Sequence, residues 1–232
     1  MSNQAIPGTK LTLISKIPQG DEVFSFDFEP NAPLTWQAGQ FIKIDLPHPE
    51  TDAAGTSRRF TIAGAPHEAV VRITTRITNS TFKQALAALP LNAKVTLLDL
   101  PAGDFIWRAA PRPHIFVAQG IGITPFYAIL ASRAHEHLST PAHLIYANLH
   151  DDAPLFKREL ENWAGAGLNF EVTFINTPIT AALLAEKFPD LASKYVYSCG
   201  PRPLIKLCLP PYNLPPAHLI QDNFPGYAAS SY

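Results

Sequence analysis

His114-Ile-Phe-Val-Ala-Gln-Gly-Ile-Gly-Ile-Thr-Pro-Phe126, at the middle of a 232-residue chain, is the stretch whose reading decides the fold. Residues 115–118 form an apolar run without alternation, the pattern of a strand buried on both faces of a parallel sheet. Gly120 and Gly122 then allow a sharp turn and close backbone approach. Thr124 followed by Pro125 reads as a helix start, with a hydroxyl N-cap and then proline at the first helical position. Strand, glycine turn and helix N-terminus together offer free N–H groups and a positive dipole end, which suit a phosphate. The spacing is Gly-x-Gly-x-Thr-Pro, not the six-residue dinucleotide fingerprint, so its meaning has to come from its neighbours.

After this stretch, β and α patterns alternate. Strands are expected at 144–147, 170–175, 195–198 and 218–221, and helices at 125–136, 154–163, 180–188 and 203–209. That order implies a five-stranded parallel sheet covered on both faces. Ligands of such sheets sit at the C-terminal strand ends, where residues 119–124 and Cys199-Gly200-Pro201 fall.

Before it the chain reads as β, with short runs at 9–17, 23–28, 41–46, 59–63, 70–75 and 94–98 separated by Gly, Pro, Asn or Asp. Val23-Phe-Ser-Phe-Asp-Phe28 repeats an aromatic at every second position, which predicts one buried face. Six such strands without crossover helices predict an antiparallel β-barrel, closed or nearly so. Thr81-x-x-Gln84 is a capping-box pattern, followed by Phe82, Leu86 and Leu89 on one helical face and stopped by Pro90. This helix plugs the barrel's open end, and its N-terminus, after Asn79 and Ser80, suits an anion. The Pro- and Arg-rich stretch 107–113 sets the expected boundary between domains 1–108 and 109–232.

With 47% hydrophobic residues the chain can bury a substantial core, and its net charge of −1 argues against a broad nucleic-acid footprint. Ten of its eighteen basic and ten of its nineteen acidic residues precede position 110, so neither half is a charged tail. Cys199 and Cys208 are the only cysteines, which rules out a four-cysteine zinc or iron–sulfur site within this chain. No metal site is expected: the histidines lack metal-ligand spacing, and His135 and His137 read as a solvated helix end. Cys208 reads as core, and no His or Asn partner marks Cys199 as a covalent nucleophile. Residues 1–7 carry no secretory pattern and no apolar run reaches bilayer length, so a cytoplasmic protein without a membrane span is expected.

Arg58-Arg-Phe-Thr61 opens the fourth strand of the first half. It is either a pair of solvated arginines beside an ordinary strand or a ligand clamp. In the second reading Arg58 pairs with a pyrophosphate, Phe60 covers a flat ring and Thr61 bonds the ring edge. Arg58-x-Phe60-Thr61, Gly120-x-Gly122-x-Thr124-Pro125 and Cys199-Gly-Pro-x-Pro203 occur in this order and spacing in the ferredoxin–NADP reductase family, which the chain resembles from about residue 9 to 227. Trp36-x-Ala-Gly-Gln-Phe41, Pro101-Ala-Gly-Asp-Phe105 and Phe224-Pro-Gly-Tyr227 resemble that family too.

The resemblance implies a flavin-binding barrel followed by a pyridine-nucleotide domain. Its cofactor would be FAD in preference to FMN, with NADH or NADPH as substrate. Arg58, Phe60, Thr61, Thr75, Ser80 and Thr81 would contact the flavin, with Thr61 near its reactive nitrogen. Gly120, Gly122, Thr124, Pro125, Cys199, Gly200 and Pro201 would face the nicotinamide nucleotide. Phe224 would cover the flavin, a place for which Tyr232 competes. Thr61, Cys199 and Asp222 would stand at the catalytic centre.

Three departures stand out. Phe60 replaces the usual Tyr, Asp222 the usual Glu, and Asn148 lacks the arginine that commonly follows it. Asn148-Leu-His-Asp-Asp152 therefore favours NADH over NADPH, with Arg133, Arg202 and a protonated His150 as the competing phosphate partners. The expected activity is hydride transfer from NAD(P)H to flavin, then electron transfer to a separate acceptor such as ferredoxin, flavodoxin or a small molecule. The alternatives are a reductase of free flavin and an electron-transfer subunit of a larger complex. The oligomeric state is not legible in the sequence.

Overall fold

The computed structural model describes residues 8–20, 22–137, 139–149, 153–201, 204 and 212–222. The chain divides into two compact units, Met1–Ile106 and Trp107–Tyr232.

The first unit contains β1 (Lys10–Gly20), β2 (Val23–Pro30), β3 (Phe41–Asp45), β4 (Ser57–Thr61), β5 (Val71–Arg76), helix α1 (Thr81–Ala88) and β6 (Lys94–Ala102). The strands form one antiparallel sheet in the order β4-β3-β6-β1-β2-β5. Its two edges meet beyond β4, where the Ala63 N–H donates to the Arg72 carbonyl at 2.8 Å. The expected barrel is thus a six-stranded half-barrel that curls almost to closure. Curling leaves few ladder groups unpaired, which is what a small antiparallel sheet gains by it.

Inside it, Leu11, Leu13, Phe26, Phe28, Ile42, Ile44, Val71, Ile73 and Val95 pack with Phe82 and Leu86 of α1. β3 alternates between core and outer face, with Ile42 and Ile44 fully buried. In β1 it stops at Ile14, the extra residue of a bulge between Leu13 and Ser15, and that isoleucine is exposed.

β2 departs from the one-face expectation. Phe26 and Phe28 enter the core, but Ser25 and Asp27 on the other face are buried too. That face is a polar ladder. Ser25 bonds Thr74 at 2.8 Å, and Asp27 takes a two-pronged bond from Arg72 at 2.7 and 3.0 Å. Paired across strands in this way, the polar groups tolerate the burial.

The second unit alternates β7 (His114–Gln119), α2 (Thr124–His135), β8 (Ala142–Ala147), α3 (Lys157–Gly165), β9 (Phe170–Ile175), α4 (Ala181–Lys187), β10 (Tyr195–Cys199) and β11 (Leu219–Asp222). The sheet is parallel, in the order β11-β10-β7-β8-β9. All six residues of β7 are buried, as its unalternating sequence requires. The chain steps outward from β7 to β9, then returns to lay β10 on the other side of β7. The order therefore reverses between β7 and β10, and a crevice at the C-terminal ends of these two strands is where such sheets take ligands.

The starts of α3 and α2 differ from expectation for local backbone reasons. α3 begins at Lys157 because Phe156 lies in the left-handed region (φ 59°), so no helix can pass through 154–156. α2 begins at Thr124, with Ile123 at the N-cap. A 3-10 turn over Gly120–Ile123 carries the chain straight into the helix, and the Thr124 hydroxyl donates back to the Ile121 carbonyl at 3.2 Å instead of capping. The helix expected at 203–209 falls almost wholly outside the described residues.

Candidate functional site

In the first unit, β4 aims Arg58 and Phe60 to the same side. Both meet the Phe82 ring of α1: the Arg58 guanidinium carbon is 5.2 Å from its centroid, and the Phe60 ring centroid is 5.8 Å away. Phe60 is largely buried in this packing. Thr61, at the end of β4, is also buried, and its hydroxyl is without a hydrogen-bond partner among the described residues. A buried, unmatched hydroxyl is costly, and a polar ring edge placed there would satisfy it.

Thr75 is buried on β5, with its hydroxyl 3.4 Å from the Arg76 carbonyl. Ser80 is the N-cap residue of α1, but its hydroxyl makes no capping bond. The capping box expected at Thr81 and Gln84 does not form, because Gln84 reaches out to the Thr78 carbonyl at 2.8 Å. The Thr81 hydroxyl instead meets His48 Nε2 at 3.2 Å and accepts the Asp52 N–H at 3.1 Å.

Asp52 is the residue that sequence reasoning missed. Its carboxylate takes Arg58 Nη2 at 2.7 and 2.9 Å, and Ser80 Oγ stands 3.5 Å away. Arg58 Nη1 is meanwhile held by the carbonyls of Ala54, Gly55 and Ser57 at 2.7 to 2.9 Å. Reduced hydration pushes the Asp52 carboxyl up. Bonds from Arg58 and the Ala54 N–H, the Arg58 charge and a Thr81 bond outweigh that and hold it below the ordinary carboxylate value. No motif marks Asp52; only its six-residue separation from Arg58 across a turn hints at the pairing.

A phosphate-bearing flavin fits this donor set. A guanidinium, a serine hydroxyl and the N-terminal end of α1 converge where an anion is drawn, with the Thr61 hydroxyl on the same strand as Arg58.

In the second unit, Gly120, Gly122, Thr124 and Pro125 follow β7, while Cys199 ends β10 and Gly200 and Pro201 follow it. Gly122 carries the tightest constraint. A Cβ there would lie 2.4 Å from the Cys199 carbonyl oxygen and 2.9 Å from Gly200 Cα, so the glycine is demanded by the protein's own backbone. Gly120 has φ 55°, the left-handed turn that glycine adopts freely.

Cys199 is wholly buried. Burial and then the neighbouring Asp222 charge raise its thiol pKa, so it is held neutral. Asp222 sits beside it in the β10–β11 register. Ser198, one residue before, buries a hydroxyl without a hydrogen-bond partner among the described residues. Phe224 and Tyr232, the two candidates for a flavin-covering ring, lie outside the described residues.

Arg133 is committed elsewhere. Its guanidinium lies 4.6 Å over the Trp107 ring and donates to the Thr140 and Leu168 carbonyls. Trp107 stacks on His114 at 3.7 Å, at the N-terminal end of β7. That is the strand end opposite Gly120 and Gly122, which removes Arg133 from the nucleotide-phosphate candidates. Arg202 lies outside the described residues.

Among the described residues, no three His, Cys, Asp or Glu side chains are grouped to hold a metal, and no helix is long and apolar enough to cross a membrane.

Residues 116–209 match the family described as "Oxidoreductase NAD-binding domain". A flavohemoprotein of Rhodopirellula baltica is 24% identical over 229 residues, covering 86% of this chain and 55% of that protein. The chain spans about half the length, or less, of the curated relatives it matches first. Among solved structures, the flavohem-like FAD/NAD-binding domain of nitric oxide dioxygenase from Vibrio cholerae superposes with a TM-score of 0.78 at 22% identity. The match covers 94% of this chain and 98% of that one. The cytochrome b5 reductase domain of Ulva prolifera nitrate reductase gives 0.77 at 20% identity, covering 96% and 100%. At these identities the two structures bear on fold.

Proposed function

We propose that this chain, of which residues 116–209 match the oxidoreductase NAD-binding domain family, is a flavin-dependent reductase of the ferredoxin–NADP reductase type. It oxidises NADH and hands electrons to a separate redox protein or small molecule. The observation that carries this reading is the set on β4 and α1, in which Arg58, the unmatched Thr61 hydroxyl and Ser80 suit a phosphate-bearing flavin. In this reading Met1–Ile106 is the flavin unit and Trp107–Tyr232 the nucleotide unit.

Bound FAD supplies a ring that takes a hydride from nicotinamide and releases the electrons onward. The chain's own residues bind, orient and exclude water. Arg58, with Ser80 and Thr81, holds the flavin phosphates. Phe60, packed on Phe82, would back the flavin site, and the unmatched Thr61 hydroxyl would bond the flavin's ring edge. Gly120, Gly122, Thr124, Pro125, Gly200 and Pro201 form the crevice for the nicotinamide nucleotide at the β7–β10 reversal. Cys199, wholly buried and neutral, would back this crevice from within the sheet and bring no negative charge to it, with Asp222 beside it in the strand register. None of these groups has to move a proton for a hydride to pass.

Arg58→Ala removes a charge-assisted contact worth about 1.5–3 kcal/mol. The variant is expected to fold but to bind FAD at least about tenfold more weakly, which an equilibrium titration reads. Unchanged affinity would make Arg58 a surface arginine.

NADH is the expected donor. The sequence 148–152 offers two acids and no arginine or lysine, an acid can accept from ribose hydroxyls, and a 2′-phosphate needs a cation. Arg133, spent on Trp107, supplies none. Ferricyanide reduction by the isolated chain should show a higher kcat/KM with NADH than with NADPH. The reverse order contradicts the assignment, and no reduction with either favours a non-catalytic subunit. The cytoplasm, where NADH is supplied, is the setting we assign.

A further inference from the structure

The Asp52 carboxylate stands among the donors that the flavin phosphate would use. It receives Arg58 Nη2 on both oxygens, the Ala54 N–H on Oδ1 at 2.9 Å, and lies 3.5 Å from Ser80 Oγ on Oδ2. Its own N–H is anchored by the Thr81 hydroxyl at 3.1 Å, so the loop is folded down on the start of α1. These are the donor types a phosphate takes: a guanidinium, a hydroxyl and a backbone amide. The pair is partly open to solvent, with the Arg58 side chain 20% and Asp52 33% exposed. An ion pair so placed is individually weak and can open.

We propose that Asp52 is an internal competitor for the flavin phosphate, which must displace its carboxylate from Arg58 and Ser80 to bind, so that Asp52 sets flavin affinity. The inference rests on the flavin reading of this site. One guanidinium edge cannot give the same N–H groups to a carboxylate and a phosphate at once, and two anions crowded into one set of donors repel. Asp52 is in this sense an affinity-determining residue: it satisfies Arg58 from within the chain and disfavours any anion that does not out-compete it.

The test is equilibrium binding of FAD, FMN and riboflavin to the full chain and to Asp52→Asn. Asparagine keeps an oxygen for the Ala54 N–H, so the turn is preserved while the charge goes. Asp52→Asn is expected to bind FAD and FMN about tenfold more tightly at low salt, with a smaller gain as salt screens the charge. Riboflavin, which has no phosphate, should bind both proteins equally. Thermal melting of the flavin-free proteins should show the variant somewhat less stable, because Arg58 has lost its partner. Equal or weaker FAD binding by Asp52→Asn overturns the proposal and makes Asp52 inert or a support for Arg58. A gain shared by riboflavin overturns it too, since the phosphate would not be the competitor. Binding of no flavin by either protein overturns the site reading and the proposal with it.

Discussion

Gly122→Ala is expected to lower the stability of the second unit by about 3 kcal/mol and to slow nucleotide-driven flavin reduction roughly a hundredfold, while bound flavin is retained. A methyl group at Gly122 would sit 2.4 Å from the Cys199 carbonyl oxygen, 2.7 Å from its carbon and 2.9 Å from Gly200 Cα. These are backbone atoms at and just after the end of β10, with no side chain to swing aside, so the turn over Gly120–Ile123 and the end of β10 have to part beside the point where the sheet order reverses. Overpacking against fixed atoms falls at the costly end of its range. The first unit is untouched, so its flavin should stay. Urea denaturation and stopped-flow reduction read the two effects separately. Wild-type stability together with normal reduction would show that the turn tolerates bulk and is not part of the nucleotide crevice.

Acid is expected to destabilise the second unit through His114. Burial drives its pKa down to about 4, from an ordinary value of 6.5. The bond between its Nε2 and the Arg108 carbonyl, at 3.0 Å, pulls the other way, and the Arg133 charge lowers the pKa further. The imidazole is packed between Trp107 and Tyr197, with Tyr195 at 5.4 Å and Arg112 above the Tyr195 ring. No carboxylate is among these neighbours to welcome a proton.

The unfolded chain binds the proton near pH 6.5 and the folded one only near pH 4. Stability from this group is therefore complete above pH 6.5, is lost progressively as pH falls towards 4, and changes no further below that. The loss is about 3 kcal/mol over that window. Denaturation at several pH values, compared with His114→Phe, isolates it. The variant should lose less stability on acidification, and equal slopes for the two proteins would remove His114 as the cause.

The sheet core was readable because β7 is buried on both faces, and a strand in that position has to be a continuous apolar run. The small antiparallel sheet was readable from alternation, except where a local feature breaks it: the bulge at Ile14, or the polar ladder of Ser25 and Asp27, whose burial depends on partners in β5. Helix starts were the weaker inference. Thr124 and Thr81 carry cap-type residues, yet the backbone leading into each decides what the hydroxyl bonds, and that backbone is set by tertiary packing.

The same holds for the candidate site. Arg58, Phe60 and Thr61 announce themselves through spacing along one strand. Asp52 does not, because its meaning lies in a turn that brings it back to Arg58 and to the start of α1. Arg133 looked available in sequence and is instead stacked on Trp107, a contact that nothing in the periodicity of α2 reveals.

The central claim, that this chain passes hydride from NADH to a flavin held by its first unit, is tested most directly by anaerobic titration of the FAD-loaded protein with NADH, followed by its visible absorbance. The account predicts that the flavin bands bleach with equimolar NADH and return when an electron acceptor is added. Tightly bound flavin that stays oxidised with both NADH and NADPH would contradict it.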